Sequence, residues 1–366
     1  MKLSIDNLTH LLRVSFDAQR DADTIERNGQ PILCLTGAPG IGKTSLASSA
    51  ASVMYNNVVL KEIIGSSYGS EDMGINVPNF ETKRLEQFTN GLLIGEVDGA
   101  EDADLIVCFL DELDKWPGDI QAMLLSLIES RKFHGKDIDP RVVYVTAMNP
   151  PDLGGESDLI MPLHERLTHV ACDVDPEGWC HYASTAGIND AIIGFIHWQC
   201  CGEHSAHSND VLITFDPDMK GATPSPRAWS KASTWVDAGM PKDLLRTTLN
   251  GTIGEVTTAQ FMQFMDTYLS DPPPTLDEII ENPHGAKIPS DHATTFAVIS
   301  MLTKYVSSKS SRARDKDALK TFVVDAIIDY IERFPHDSHR LVAFKQCCKA
   351  NALFAENKSD LAIRFR

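Results

Sequence analysis

Between residues 32 and 174, short apolar runs alternate with stretches of helical spacing. The runs fall at 32–35, 58–64, 105–110, 142–147 and 170–174. They are rich in Val, Ile, Leu and Cys and lack strict polar alternation, which is the pattern of strands covered on both faces. A parallel α/β sheet is predicted. Between the third and fourth runs, Ile120, Met123, Leu124, Leu127 and Ile128 recur at helical spacing behind Pro117, which suits a first helical turn. Such a helix supplies the crossover that parallel strands need.

After Asp175 the strand pattern fades, and 179–201, 226–238 and 257–269 read as helices. Three consecutive prolines in Asp271-Pro272-Pro273-Pro274 cannot continue a helix and mark a linker. A further helix is expected over 319–334. The expected organisation is an α/β domain over 1–174 with a helical lead-in, a helical domain over 175–270 and a helical C-terminal extension over 271–366.

Gly37-Ala38-Pro39-Gly40-Ile41-Gly42-Lys43-Thr44 follows the first apolar run and fits G-x-x-x-x-G-K-[ST]. Glycines let the backbone turn its N–H groups onto phosphate oxygens, and a helix opening at Lys43, Thr44 and Ser45 adds its dipole. Lys43 then reaches the β and γ phosphates and the Thr44 hydroxyl is placed for Mg²⁺, so the loop calls for ATP with Mg²⁺. The third run ends in Asp111-Glu112. A carboxylate at the C-terminal edge of a parallel strand suits the shell of the metal, the role assigned to Asp111. Glu112 points elsewhere on the two-residue alternation. It either polarises the attacking water or belongs to a helix-initiating acidic cluster before Lys115.

Together these segments resemble the Walker A and Walker B elements of the AAA+ ATPases. The resemblance implies a P-loop NTPase parallel sheet followed by a helical lid. It puts Asn149, at the end of the fourth run, in the sensor 1 position, where a neutral amide orients water without competing for the metal; an Asn-Pro-Pro turn is compatible with that role. The segment Met161-Pro162-Leu163-His164-Glu165-Arg166-Leu167 is similar to the one carrying the family's arginine finger. Arg166 is thereby implied to complete a neighbouring subunit's site, the rival being a surface pair with Glu165. Ser225-Pro226-Arg227-Ala228-Trp229 looks like sensor 2, with Ser225 as cap, Pro226 in the first turn and Arg227 coupling the nucleotide to the lid.

The segments 70–78, 129–139 and 149–155 resemble the MoxR-like branch, and 74–99 is the candidate for its helix insert. This likeness covers about 32–269 and implies a homo-hexameric ring with a chaperone-like action on a protein client. It also implies pore-facing loops that grip the client, and a partner carrying a von Willebrand factor A domain. Leu167 departs from the Phe that commonly follows the finger, and the C-terminal extension matches nothing in the family.

With 51 acidic against 33 basic residues the net charge is -18, which disfavours unaided contact with nucleic acid. A nucleic-acid motor or clamp-loader subunit is therefore the alternative, supported only by the basic stretch 307–320. A ring that binds ATP without turnover needs neither Glu112 nor Arg166. The N-terminal stretch lacks the apolar core of a secretory signal and no run reaches membrane-spanning length, so a cytoplasmic protein without membrane contact is expected. Its eight cysteines are scattered and should be reduced. Cys200, Cys201, His204 and His207 match no zinc spacing and read as a loop.

Overall fold

The computed structural model describes residues 5–21, 30–149, 159–200, 212, 221–309 and 318–356. Pro150 to Gly155 of the expected turn, Cys201, His204 and His207, and most of the basic stretch (310–317) lie outside the described residues. The described chain forms two compact units that divide near Val174.

The first unit runs α1 (Ile5–Arg20), β1 (Leu33–Thr36), α2 (Lys43–Met54), β2 (Val58–Ile64), a hairpin of β3 (Gly74–Asn79) and β4 (Arg84–Thr89), β5 (Leu105–Asp111) and α3 (Gly118–Ser130). A short hairpin of β6 (Lys132–Phe133) and β7 (Lys136–Asp137), then β8 (Val142–Met148) and β9 (Thr168–Ala171), complete it. Five strands form a parallel sheet in the order β2-β5-β8-β1-β9. Along β5, Leu105, Val107 and Phe109 share a core with Leu8, Leu12 and Phe16 of α1 and Ala47, Ala50 and Ala51 of α2. Ile106, Cys108 and Leu110 face the other way, into a core with Ile120, Leu124 and Leu127 of α3. Both faces of the strand are dry, which is why it carries no polar alternation.

Pairing moves some expected boundaries. β9 begins at Thr168 and ends at Ala171 because the register with β1 pairs Leu33 with Thr168 and Thr36 with Ala171. Pro117 stands just before α3 rather than in its first turn.

The short β1 leaves a gap that side chains close. Its register with β8 covers only Thr146 to Met148. Beside Tyr144 the fully buried Gln19 of α1 replaces the missing peptide: its Nε2 donates to the Tyr144 carbonyl at 2.9 Å and its Oε1 accepts from the Tyr144 N–H at 2.7 Å. The same Nε2 donates to Ser15 Oγ at 3.0 Å. Gln30 Nε2 donates to the carbonyls of Leu127 and Ile128, at 2.7 and 3.1 Å. Arg131, at the end of α3 with φ 51°, donates to the Gln19, Asp139 and Val142 carbonyls, each at 2.9 Å, and to Gln30 Oε1 at 3.2 Å. Burial lowers the pKa of this guanidinium, and the four acceptors hold it as a cation.

The second unit contains α4 (Pro176–Thr185), α5 (Asp190–Cys200), α6 (Pro226–Asp237), α7 (Lys242–Ile253), α8 (Glu255–Ser270), α9 (His292–Ser308), α10 (Thr321–Glu332) and α11 (Asp337–Ala350). The single helix expected over 179–201 is two. Gly187 turns at φ +80°, and the Asn189 side chain accepts from the Ala191 N–H at 2.9 Å to restart the chain. One core gathers Phe195, Trp229, Phe261 and Phe264; a second gathers Tyr330, Phe334, Phe344 and Phe354. Trp179 and Trp229 are buried, whereas Trp198 and Trp235 are partly exposed, each 39% accessible.

The proline run ends α8 at Ser270, and the helices on its two sides join through α5 and α9. A Cβ on Gly194 would stand 2.7 Å from the Ala293 carbonyl oxygen, so only glycine admits this crossing. One turn on, His197 stacks on Phe296 with ring centroids 3.7 Å apart. Among the described residues no helix is long and apolar enough to cross a membrane, no cysteine is in a disulfide, and no group of three or more His, Cys, Asp or Glu could hold a metal.

Two outcomes are expected. Gln19→Leu strands the Tyr144 N–H and carbonyl in a dry core and should destabilise the first unit by about 3 kcal/mol in urea unfolding. In the second unit, burial lowers the His197 pKa to about 4. The unfolded chain takes up this proton first, from its ordinary value of about 6.5. Stability is therefore full above pH 6.5 and falls as the pH drops from there through 4, by about 3 kcal/mol in all. His197→Phe should flatten that part of a thermal-melting profile against pH.

Candidate nucleotide site

Beyond Thr36 the chain leaves the sheet under tight constraint. The Gly37 N–H still reaches the Met148 carbonyl at 3.2 Å, and a Cβ at Gly37 would stand 2.4 Å from the Cys172 carbonyl oxygen. Gly40 and Gly42 turn at φ 79° and 95°, left-handed values that cost a larger residue strain. After Ala38, Pro39, Gly40, Ile41 and Gly42, helix α2 opens at Lys43. Lys43, Thr44 and Ser45 are its first three residues, whose N–H groups lack partners from a preceding helical turn. A helix N-terminus entered through a glycine-rich loop is an anion site.

Lys43 is only 9% exposed. Its Nζ donates to the Gly37 carbonyl at 2.7 Å, the Ala38 carbonyl at 3.2 Å and Asn149 Oδ1 at 2.8 Å. Asn149, the residue after β8, is held in turn: its backbone N–H donates to Asp114 Oδ1 at 3.1 Å. Asp114 is completely buried. Along the chain Asp114 is one acid of the cluster Asp111-Glu112-Leu113-Asp114, and nothing local gives it a role. Its position three residues after Asp111 was the available signal, but the contact spans 35 residues and only the fold creates it.

The tip of β5 is strained and braced. Glu112 adopts φ 52°, ψ 42°, left-handed for a non-glycine residue, which costs about 1–2 kcal/mol. Its N–H donates to Asp111 Oδ1 at 2.8 Å, and its Oε1 pairs with Lys115 Nζ at 3.0 Å. Trp116 Nε1 donates to the Asp111 carbonyl at 2.9 Å, and its indole fills the space that a Cβ on Gly65 would occupy. Leu113–Lys115 forms a single tight helical turn, so the expected helix-initiating cluster exists as one turn. Burial raises the Asp111 pKa, while the Glu112 N–H and Lys43 pull it down and Glu62 raises it further.

Glu62 of β2 is a neighbour that sequence reading missed. The Thr44 Oγ1 donates to Glu62 Oε1 at 3.3 Å. The visible signal was Lys61-Glu62, a charged pair interrupting an apolar run.

The fold thus brings together residues 37–45, Asp111, Glu112 and Asn149. Arg166 sits elsewhere on the surface of the first unit. Its Nε donates to Glu129 Oε1 at 2.6 Å and its Nη1 to the Pro162 carbonyl at 2.6 Å, so the surface pair it forms is with Glu129, where the rival to the finger reading names Glu165. Arg227 is the second residue of α6 in the second unit, exposed, and Ser225 Oγ caps that helix by accepting the Ala228 N–H at 3.1 Å.

The hard oxygen donors of Thr44 and Asp111 fit Mg²⁺. The Lys43 ammonium and the α2 N-terminus fit a polyphosphate. Residues 32–167 match the family model described as AAA domain (dynein-related subfamily). The chain is 29% identical over 175 residues to the Lon protease of Elusimicrobium minutum, covering 44% of this chain and 19% of that protein. It is 29% identical over 153 residues to Lon protease 1 of Syntrophobacter fumaroxidans, covering 37% and 18%. The chain therefore spans about a fifth of the length of these relatives. Among solved structures, the Thermotoga maritima RuvB Holliday junction branch migration motor is similar at 18% identity and a TM-score of 0.37, covering 76% of this chain and 74% of that one.

Asp114→Ala removes the acceptor that fixes Asn149. It should destabilise the first unit by about 2 kcal/mol in chemical denaturation.

Proposed function

We propose that this chain, which carries an AAA+ domain of the dynein-related type at residues 32–167, hydrolyses ATP as one subunit of a homo-hexameric ring. The observation that carries the reading is the Lys43 ammonium at the mouth of the glycine loop, tied through Asn149 to the strand tip bearing Asp111 and Glu112.

In this reading the α2 N-terminus and Lys43 bind the β and γ phosphates, Lys43 exchanging its loop carbonyls for phosphate oxygens. Thr44 and Asp111 would hold Mg²⁺, which when bound would neutralise phosphate charge. Glu112 leaves Lys115, aligns a water with the γ phosphorus and accepts its proton as the oxygen attacks, while the bond to the β–γ bridging oxygen breaks and ADP departs with that electron pair. Asn149, released by Lys43, hydrogen-bonds the same water or the γ phosphate. Arg166 exchanges Glu129 for the transferring phosphoryl of the neighbouring subunit, where a planar guanidinium matches the developing charge. Arg227 couples the nucleotide to the helical unit.

The MoxR-like assignment is supported by the β3–β4 hairpin, set between short helical turns at Ser70–Met73 and Gly91–Ile94. It is supported too by the β6–β7 hairpin that follows α3. At the tip of the first hairpin, Asn79 Oδ1 accepts the N–H groups of Glu81 and Thr82 at 2.9 and 3.0 Å, and Phe80 stands 87% exposed. These loops would grip a protein client in the cytoplasm, with a von Willebrand factor A domain protein as the adaptor.

The test is complementation between two inactive variants. Glu112→Gln and Arg166→Ala should each lower turnover about 100-fold or more. Mixed in equal amounts they should recover about a quarter of wild-type turnover, because in a ring one interface in four joins an intact Glu112 to an intact Arg166. An Arg166→Ala variant as active as wild type, or a mixture that stays dead, refutes the shared site.

A further inference from the structure

The donor set around Thr44 contains one carboxylate more than the proposed mechanism uses. Glu62 lies on β2, the edge strand beside β5, in a register that pairs Ile64 with Asp111 and Glu62 with Phe109. Two residues before the Asp111 level, its side chain can lean along the strand towards the sheet's C-terminal edge. There its Oε1 receives the Thr44 hydroxyl at 3.3 Å, and Ile64, two residues further along the strand, pairs with Asp111. Thr44 is thus flanked by an acid from each of two adjacent strands.

Two acids brought to one edge of the sheet beside the same hydroxyl favour a cation near them. Lys43 is a nearby cation, and its ammonium donates to two loop carbonyls and Asn149. Glu62 also stands on the edge strand of the sheet, exposed. An exposed acid pointing at the P-loop threonine gives a bare triphosphate a repulsive neighbour and gives a divalent cation an added hard oxygen.

We propose that Glu62 is a metal-positioning residue of the nucleotide site, an acid from β2 that joins Thr44 and Asp111 around the divalent cation, directly or through a bound water. The inference rests on the ATP reading above and adds a specific consequence. The site discriminates sharply between metal-bound and metal-free nucleotide, because Glu62 attracts the first and repels the second.

The experiment measures Mn²⁺ binding by electron paramagnetic resonance in the presence of the non-hydrolysable adenosine β,γ-imidotriphosphate. A parallel arm measures binding of the same nucleotide in excess EDTA by calorimetry. Glu62→Gln keeps the size of the side chain and removes its charge. It should weaken Mn²⁺ affinity about tenfold and tighten metal-free nucleotide binding severalfold, with an unchanged melting temperature. A structural role would lower both affinities together and would not give these opposite shifts. Equal Mn²⁺ affinity in wild type and Glu62→Gln overturns the Glu62 assignment and leaves the ATP reading standing. Wild-type protein that binds neither Mn²⁺ with nucleotide nor nucleotide alone overturns the ATP reading itself.

Discussion

A lysine ammonium that is nine-tenths buried must be surrounded by oxygens, and the first unit is arranged around meeting that demand for Lys43. Two of its acceptors are carbonyls of the glycine loop and the third is the Asn149 amide. To supply them the loop turns back on itself through Gly40 and Gly42, β1 and β8 lie side by side so that Asn149 follows the strand next door, and Asp114 is buried to fix the Asn149 backbone. None of these contacts is strong alone. A buried charge that loses its acceptors is expensive, so the set stands or falls together. The same ammonium is the group that the proposed phosphate would take over, so without it the cation is held in a satisfied state.

The strand tip next to it holds the opposite kind of arrangement. Glu112 keeps a left-handed backbone, and a ring of neighbours maintains it: Asp111 on its N–H, Lys115 on its carboxylate, Trp116 on the preceding carbonyl. Strain of this kind persists where surrounding structure over-determines it, and it points the Glu112 side chain off the direction that a regular strand would give. Trp116 reaches its carbonyl only because residue 65 is glycine, so the end of β2 is shaped by the demands of β5.

The helical unit uses different means. Its aromatic core around Phe195 and Trp229 and its second core around Tyr330 and Phe344 are connected through α9, which meets α5 where Gly194 lets the backbones approach. Neutral histidine rings at this seam pack as aromatic groups, which requires their pKa values to be low and makes the seam acid-sensitive.

What the sequence determined by itself was whatever depends on neighbours along the chain. Apolar runs buried on both faces gave the parallel strands, G-x-x-x-x-G-K-[ST] gave the loop and its helix, Ser225-Pro226 gave a capped helix start, and the acids ending the third run gave the β5 tip. Tertiary structure alone decided whatever depends on partners far apart in sequence. Gln19 bonding the backbone of a strand residue 125 positions away, Asp114 gripping the Asn149 backbone, Glu62 facing Thr44 and Arg166 choosing Glu129 over its adjacent acid are all contacts made by polar side chains. Hydrophobic periodicity reports which face of an element is dry. It carries no information on which buried polar group answers which, because that is settled by the geometry of elements brought together only when the chain is folded.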